Sequence, residues 1–210
     1  MTDQRDETEI DGATEEQTVD GRRLRRERNV TAVVDAVIDM FSEEALTPTI
    51  ERAAERSGLS LRSVYRYFPD PESLIQAAID ETWRRGLAAA HLSSIGQGPF
   101  DDRVAEFAEM RVRLYDRVGP SYRAGRLHAP HSVRIRDDLE RTRRALTEQF
   151  ELQFRPEIDA LPTELRMVRS TTADVMSQLE LIDLLRRTRR LTVQESIDVV
   201  ADAIATTLGP

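Results

Sequence analysis

The stretch TIERAAERSGLSLRSVYRYF, Thr49–Phe68, decides how this chain folds. Its pattern predicts two short helices that are joined at a tight corner. Gly58 can adopt the positive φ that ends the first helix, and the hydroxyl of Ser60 can cap the second. The small side chains of Ala53 and Ala54 allow the two helices to approach closely. This layout is typical of a helix-turn-helix.

The second predicted helix carries two faces of different character. Val64 and Phe68 lie four residues apart and are predicted to pack in the core. Leu59 is predicted to fill the corner before the helix. The other face exposes side chains that suit phosphates and base edges in a DNA major groove: Arg62, Ser63, Arg66 and Tyr67.

The charge of the chain is unevenly distributed. The formal net charge over 210 residues is −8, which at first argues against a nucleic-acid partner. Residues 1–20, however, contain eight acids against Arg5 alone, so this segment accounts for −7. A cluster of arginines follows at once: Arg22, Arg23, Arg25, Arg26 and Arg28. Local charge decides docking on a polyanion, so the total does not exclude DNA.

The arginine cluster is poorly placed for the dipole of the first predicted helix, which favours acids at its start. A contact with phosphates or with a minor groove would explain it, and a merely solvated helix end is the alternative. The acidic segment before it is predicted to be disordered. A second hypothesis is that this segment folds back on the arginines and weakens non-specific DNA binding.

Several classes of protein are disfavoured by what the sequence lacks. It has no cysteine, so disulfides and thiol chemistry are not expected. It has no secretory signal and no apolar run long enough to span a bilayer. A soluble cytoplasmic protein is therefore expected.

The remaining pattern is helical throughout, and an all-α fold is predicted. Helix starts are indicated by Thr47-Pro48-Thr49, by Asp70-Pro71-Glu72 and by Thr192, which has capping-box spacing to Glu195. Gly119-Pro120 is predicted to end a helix. The expected helices cover residues 22–44, 61–68, 71–92, 101–118, 121–130, 132–154 and 162–187, with a loop at 93–99. A short second helix opens within Thr47-Pro48-Thr49, and a last helix begins at Thr192 and carries an apolar stripe as far as Leu208. We expect a disordered acidic tail (1–20), a three-helix DNA-binding head (21–82) and a helical-bundle domain (83–210).

Residues 22–80 resemble the DNA-binding domain of TetR-family transcriptional regulators. The resemblance rests on the apolar stripe of the first helix, on Ala53-Ala54 and Ser57-Gly58-Leu59-Ser60, and on the pairs Val64-Tyr65 and Tyr67-Phe68. It implies a homodimer on a pseudo-palindromic operator, with one recognition helix in each major groove. It also implies phosphate contacts from Thr49, Ser63, Tyr65 and Tyr67, and base contacts from Leu61 and Arg62.

The chain departs from the family pattern at three positions. Ala45 stands where the family usually has Gly, and Arg62 stands where a small residue is common. An arginine there can reach guanine O6 and N7, which suggests an operator preference of its own. Pro71 replaces a common lysine and so removes one phosphate contact. The predicted DNA-binding residues are Arg25, Arg26, Thr49, Ser60, Leu61, Arg62, Ser63, Tyr65, Arg66 and Tyr67.

The resemblance further implies that the second domain holds a small-molecule effector and dimerises through its last two long helices. Apolar stripes on these two helices agree with a four-helix interface, although internal packing would also explain them. Aromatic and methionine side chains are either core or lining of a cavity. The candidate effector-binding residues are Phe107, Met110, Tyr115, Tyr122, His128, Phe150 and Met176.

Other functions are less well supported by the sequence. Pro130 separates His128 from His131, so the two do not share a helical face, and no metal site or other cofactor is expected. There is no nucleophile–base motif and no phosphate-binding glycine loop, so an enzyme is not expected. The alternative is a helical interaction protein that does not bind DNA. The sequence thus predicts a DNA-binding transcriptional regulator, expected to act as a repressor.

Overall fold

The computed structural model describes residues 9–43, 47–87 and 90–209, with only the backbone described for residues 9–20. Every regular element in these residues is helical, so the fold is all-α as predicted. The chain divides into two compact units between Ala78 and Ile79, inside helix α4 (Pro71–Leu87). None of the described helices combines the length and apolar character needed to cross a membrane.

The first unit begins with a long helix, α1 (Glu9–Ser42). Its backbone is therefore helical over residues 9–20, where the sequence suggested disorder, while residues 1–8 lie outside the described residues. No proline occurs in the sequence before Pro48, so nothing of this kind interrupts the backbone hydrogen bonds of the helix. Further along, α1 buries Val33, Val37 and Phe41.

Two short helices, α2 (Ile50–Ser57) and α3 (Leu61–Tyr67), pack on α1 and on each other. Thr49 caps α2 by accepting from the Arg52 N–H, so Pro48 precedes the cap rather than opening the helix. Gly58 ends α2 at φ 70°, the left-handed conformation that glycine tolerates best. The Ser60 hydroxyl accepts from the Ser63 N–H at 3.2 Å and caps α3.

The small and apolar residues around this corner lie where the sequence predicted. Ala53 and Ala54 are buried in α2, and Val64 and Phe68 are buried on the inner face of α3. The Leu59 N–H donates to the Ala54 carbonyl at 3.2 Å, which closes the turn. Asp70 caps α4 by accepting from the Ser73 N–H at 2.7 Å.

The second unit is a helical bundle around one central helix. It comprises the end of α4, α5 (Phe100–His128), α6 (Val133–Gln153), α7 (Arg155–Ala160), α8 (Thr163–Ser177), α9 (Leu179–Asp183), a π-helical segment (Leu184–Thr188) and α10 (Val193–Leu208). The central helix, α5, packs against α6, α9 and α10. Thr192 and Glu195 form the predicted capping box at the start of α10.

The prediction that Gly119-Pro120 ends a helix is wrong, because α5 continues through both residues to His128. Proline removes one intrahelical hydrogen bond, but Val118 and Tyr122 on either side are buried and hold the helix in place. Gly119 is needed here for another reason. A Cβ at this position would lie 2.9 Å from the ring of Tyr115.

Other predicted boundaries also differ from the structure. Helix α4 ends at Leu87 rather than Leu92, and residues 88–89 lie outside the described part of the chain. The connection between Pro156 and Pro162 contains the short helix α7. The single helix predicted over 162–187 is broken at Gln178, whose ψ of 153° is extended.

Candidate nucleic-acid interface

A cleft of about 640 Å³ lies between α1 and α3 in the first unit. Its lining contains four cationic side chains and no acidic one among the described residues. We call it the basic cleft, and its lining residues are Arg22, Arg25, Arg26, Asn29, Leu59, Ser63, Arg66 and Tyr67. Four guanidinium groups around one concave surface concentrate positive charge there, which favours anionic groups.

Helical spacing explains how each wall of the cleft is built. On α1, Arg22, Arg25, Arg26 and Asn29 recur at intervals of three and four residues, which brings them to one face. Positions 63, 66 and 67 on α3 have the same spacing. The corner at Gly58 sets the direction of α3, so the two polar faces meet.

The hydroxyl of Tyr67 is held at the centre of this arrangement. It accepts hydrogen bonds from Asn29 Nδ2 at 3.2 Å and from Arg66 Nη2 at 3.0 Å. The Arg66 guanidinium also lies over the Tyr67 ring, 5.1 Å from its centroid. The bonds from Asn29 and Arg66 lower the pKa of Tyr67. Because both neighbours donate, the phenolic hydrogen is left to a third group, and a phosphate oxygen is a suitable acceptor.

The structure brings together half of the residues that were predicted to bind DNA. Arg25, Arg26, Ser63, Arg66 and Tyr67 all line the basic cleft. Thr49 caps the start of α2, and Ser60 caps the start of α3 at the corner. Leu61, Arg62 and Tyr65 are exposed on α3 outside the lining of the cleft.

Tyr65 has a contact that the sequence did not predict. Its hydroxyl donates to the carboxylate of Glu51 on α2 at 3.4 Å. A phosphate at Tyr65 would have to compete with this carboxylate or displace it.

Three lining residues of the cleft were not among the predicted contact residues: Arg22, Asn29 and Leu59, which was expected only to fill the corner. Arg22 was recognised only as part of the arginine cluster. The signal for Asn29 was its position seven residues after Arg22, two helical turns along the same face of α1.

The candidate effector residues of the second unit do not form one group. Phe107, Met110, Tyr115, Tyr122 and Phe150 are buried, and His128 is half-buried at the end of α5. Phe107, Phe150 and Phe154 pack ring against ring, with centroids 5.1–5.8 Å apart. Met176 instead lines a surface groove on α8.

The two buried tyrosines of α5 are bonded to carboxylates of α9. The Tyr115 hydroxyl donates to Asp183 and the Tyr122 hydroxyl donates to Glu180, each at 2.5 Å. Burial is the main cause that raises the pKa of both tyrosines, and the carboxylates add to it. Arg123 donates to the Tyr115 oxygen at 3.1 Å. These hydroxyls are therefore engaged within the protein.

The apolar stripes of the last helices divide between two environments. Leu179, Ile182, Val200, Ile204 and Leu208 are buried within the unit, in agreement with internal packing. On α8, Met167 is 73% exposed, Val168 55% and Val175 54%. These three residues line the groove that also contains Met176, Thr171 and Thr172. We call this surface the α8 face.

No protein-family model matches this chain, and no curated protein matches it significantly. The basic cleft and the corner at Gly58 are therefore the observations from which its function must be inferred.

Proposed function

We propose that this protein is a DNA-binding transcriptional regulator of the TetR type, with α2 and α3 as its helix-turn-helix. The single observation that carries the proposal is the basic cleft beside the exposed polar flank of α3. Phosphate contacts supply most of the affinity for DNA, and base contacts supply the specificity. The cationic side chains of the basic cleft are suited to phosphates, and the exposed side chains beside them on α3 are suited to base edges.

In this proposal α3 enters a major groove. Arg62 and Leu61, which are exposed and outside the cleft, face base edges. Arg22, Arg25, Arg26 and Tyr67 hold the flanking phosphates. The register on the duplex is set by the cleft, and the sequence preference is set by the two side chains beside it.

A homodimer is part of the proposal, because palindromic operators need two heads about one turn of DNA apart. The α8 face supports it. Exposed Met167, Val168 and Val175 form a contiguous apolar surface on one of the two helices expected to dimerise, and such surfaces mark association sites. The buried stripe of α10 contributes to the fold of the subunit rather than to this surface.

A small-molecule effector bound in the second unit completes the proposed mechanism. It would favour a conformation in which the two α3 helices no longer match successive major grooves. Relief of DNA binding by a hundredfold requires that the effector bind this conformation better by about 3 kcal/mol.

Selection of bound sequences from a random DNA pool with the full chain tests the proposal. We expect a pseudo-palindromic site whose half-sites lie about one helical turn apart. Arg26→Gln and Arg23→Gln form a matched pair on α1 for the same assay. Arg26 lines the cleft, whereas Arg23 does not and is paired with Glu27 at 2.9 Å. Arg26→Gln should weaken binding several-fold more than Arg23→Gln and reduce the salt dependence by about one phosphate contact.

Failure to enrich any sequence over competitor DNA at modest salt would refute the proposal. The protein would then be a helical interaction protein without DNA binding, the alternative that the sequence left open. If the two arginine substitutions weakened DNA binding equally, the protein would still bind DNA, but the basic cleft would not be the surface that contacts it.

A further inference from the structure

Arg111 lies at the centre of the second unit, and its side chain is unusual for a buried cation. It is 0% exposed on α5, between α6 and α8. Its Nη2 donates to the Leu146 carbonyl at 3.1 Å, and the guanidinium lies 4.6 Å from the centroid of the Phe107 ring. Among the described residues, Nε and Nη1 have no hydrogen-bond partner. Three of the five N–H groups, one on Nε and two on Nη1, are thus unmatched.

The carboxylate that acts electrostatically on Arg111 accepts hydrogen bonds from other side chains. Asp174 on α8 attracts Arg111 electrostatically. Its two oxygens, however, accept from Thr147 at 2.9 Å and from the Gln178 amide at 2.7 Å. Among the described residues, Asp174 accepts no hydrogen bond from Nε or Nη1 of Arg111.

Arg111 remains a cation in this environment. Burial lowers its pKa to about 10, and Asp174 opposes the change. At neutral pH the charge is still present. Buried charges in proteins are normally paired and hydrogen-bonded because an unpaired one is strongly unfavourable.

A second unmatched atom lies in the same polar cluster. The Gln178 Nε2 donates to both Asp174 and Thr147, while its Oε1 is buried without a partner among the described residues. Thr147 follows Leu146, the residue whose carbonyl holds Arg111. Unmatched donors and an unmatched acceptor therefore occur in one cluster formed by α5, α6 and α8.

We propose that this cluster is a binding site for an organic acid of charge −1, whose carboxylate is held by Arg111. The guanidinium matches a carboxylate in charge and in its hydrogen-bond donors, and its Nε and Nη1 have no partner among the described residues. A single negative charge suits the site because it would balance the single positive charge of Arg111, whereas Asp174 in the same cluster would disfavour a dianion such as phosphate. The bound acid is an effector only on the basis of the proposed function. The site itself does not depend on DNA binding.

The test measures binding of acetate, hexanoate and benzoate to the full chain by calorimetry and by thermal unfolding, each against its neutral amide. We expect at least one carboxylate to bind tenfold or more tightly than its amide and to raise Tm. Arg111→Met, which keeps an unbranched apolar stem, should abolish this difference. Arg113→Met is the matched control on α5, because Arg113 is exposed and paired with Glu109. It should leave the difference unchanged.

Stability of the unliganded protein gives an independent readout. Removal of an unpaired buried charge should raise Tm in Arg111→Met by about 3 °C, whereas most changes in a core lower it. The proposal is overturned if none of the three carboxylates binds more tightly than its amide. It is also overturned if Arg111→Met retains the difference or unfolds at a lower temperature than wild type. Because DNA is absent from these assays, their failure would not affect the proposed DNA binding.

Discussion

Asn29 on α1 donates a hydrogen bond to the Tyr67 hydroxyl on α3, with 3.2 Å between Nδ2 and the phenolic oxygen. The two residues are 38 positions apart in the chain. This bond joins the arginine-bearing helix to the proposed recognition helix. Because the Tyr67 oxygen accepts this bond, its phenolic hydrogen remains available to another acceptor.

Asn29→Ala tests whether Asn29 positions Tyr67 for phosphate binding. The variant loses one neutral hydrogen bond, worth about 1 kcal/mol, so DNA affinity should fall about fivefold on every operator sequence alike. The measurement is fluorescence anisotropy with operator and non-operator duplexes. Tyr67→Phe should show a loss that is equally independent of sequence.

A double-mutant cycle distinguishes positioning from a direct contact. If Asn29 acts only through Tyr67, adding Asn29→Ala to Tyr67→Phe should cause no further loss. Additive losses would mean that Asn29 contacts DNA by itself.

Arg62→Ala is expected to change specificity rather than general affinity. Arg62 is exposed on α3 outside the basic cleft, where a bidentate contact with guanine is available to it. Selection from a random DNA pool should show relaxed preference at one position of each half-site, with a loss of about 1–3 kcal/mol on the best site. A uniform loss on all sequences would contradict the assignment as a base contact.

Substitutions at the corner should act on stability through backbone geometry and capping. Gly58 has φ 70° with open space around its Cα, so Gly58→Ala should cost about 1 kcal/mol from conformation alone. Gly58→Asn should cost less, because Asn tolerates this conformation. Ser60→Ala should lose about 1 kcal/mol through the lost cap. Denaturant unfolding measures all three, and equal stabilities of the Ala and Asn variants would contradict the conformational explanation.

The corner could be predicted from sequence because its determinants are local. Gly58, Ser60 and Asp70 specify their caps within three residues, and no distant packing alters them. The basic cleft was only half predictable. The spacing on each helix was visible, but the approach of Asn29 to Tyr67 depends on how α1 and α3 pack.

The second unit shows where local signals fail. Gly119-Pro120 is a strong signal for the end of a helix, yet α5 continues past it because Val118 and Tyr122 on either side are buried. Gln178 carries no breaker signal, yet the helix ends there, where its side chain bonds to Thr147 and Asp174. The unmatched state of Arg111 has no sequence signature at all, because it depends on which groups of α6 and α8 lie nearby.

Val168→Glu and Val175→Glu test the α8 face as the dimer interface. Each places a charge on an exposed apolar surface, so folding should be little affected, whereas a buried interface would not tolerate it. We expect monomers by analytical ultracentrifugation and a large loss of DNA affinity. Val133→Glu, at an exposed apolar position on α6, is the control and should leave the oligomeric state unchanged. Dimers in both α8 variants would place the interface elsewhere.

Alkaline titration should separate the tyrosines by their environments. Asn29 and Arg66 lower the pKa of Tyr67, so its phenolate should form below pH 10, and Tyr67→Phe should remove this first step. Burial beside Asp183 and Glu180 raises the pKa of Tyr115 and Tyr122 well above 10. A folded-state pKa above the unfolded value means that these two tyrosines contribute stability that is complete below pH 10 and is lost as the pH rises further.

Absorbance at ~295 nm and the free energy of unfolding, measured together from about pH 8 to 12, check both parts of this prediction. Tyr115→Phe and Tyr122→Phe should each flatten the alkaline loss of stability. Ionisation of every tyrosine by about pH 10.5 in a protein that remains folded would contradict the burial of these two hydroxyls against carboxylates.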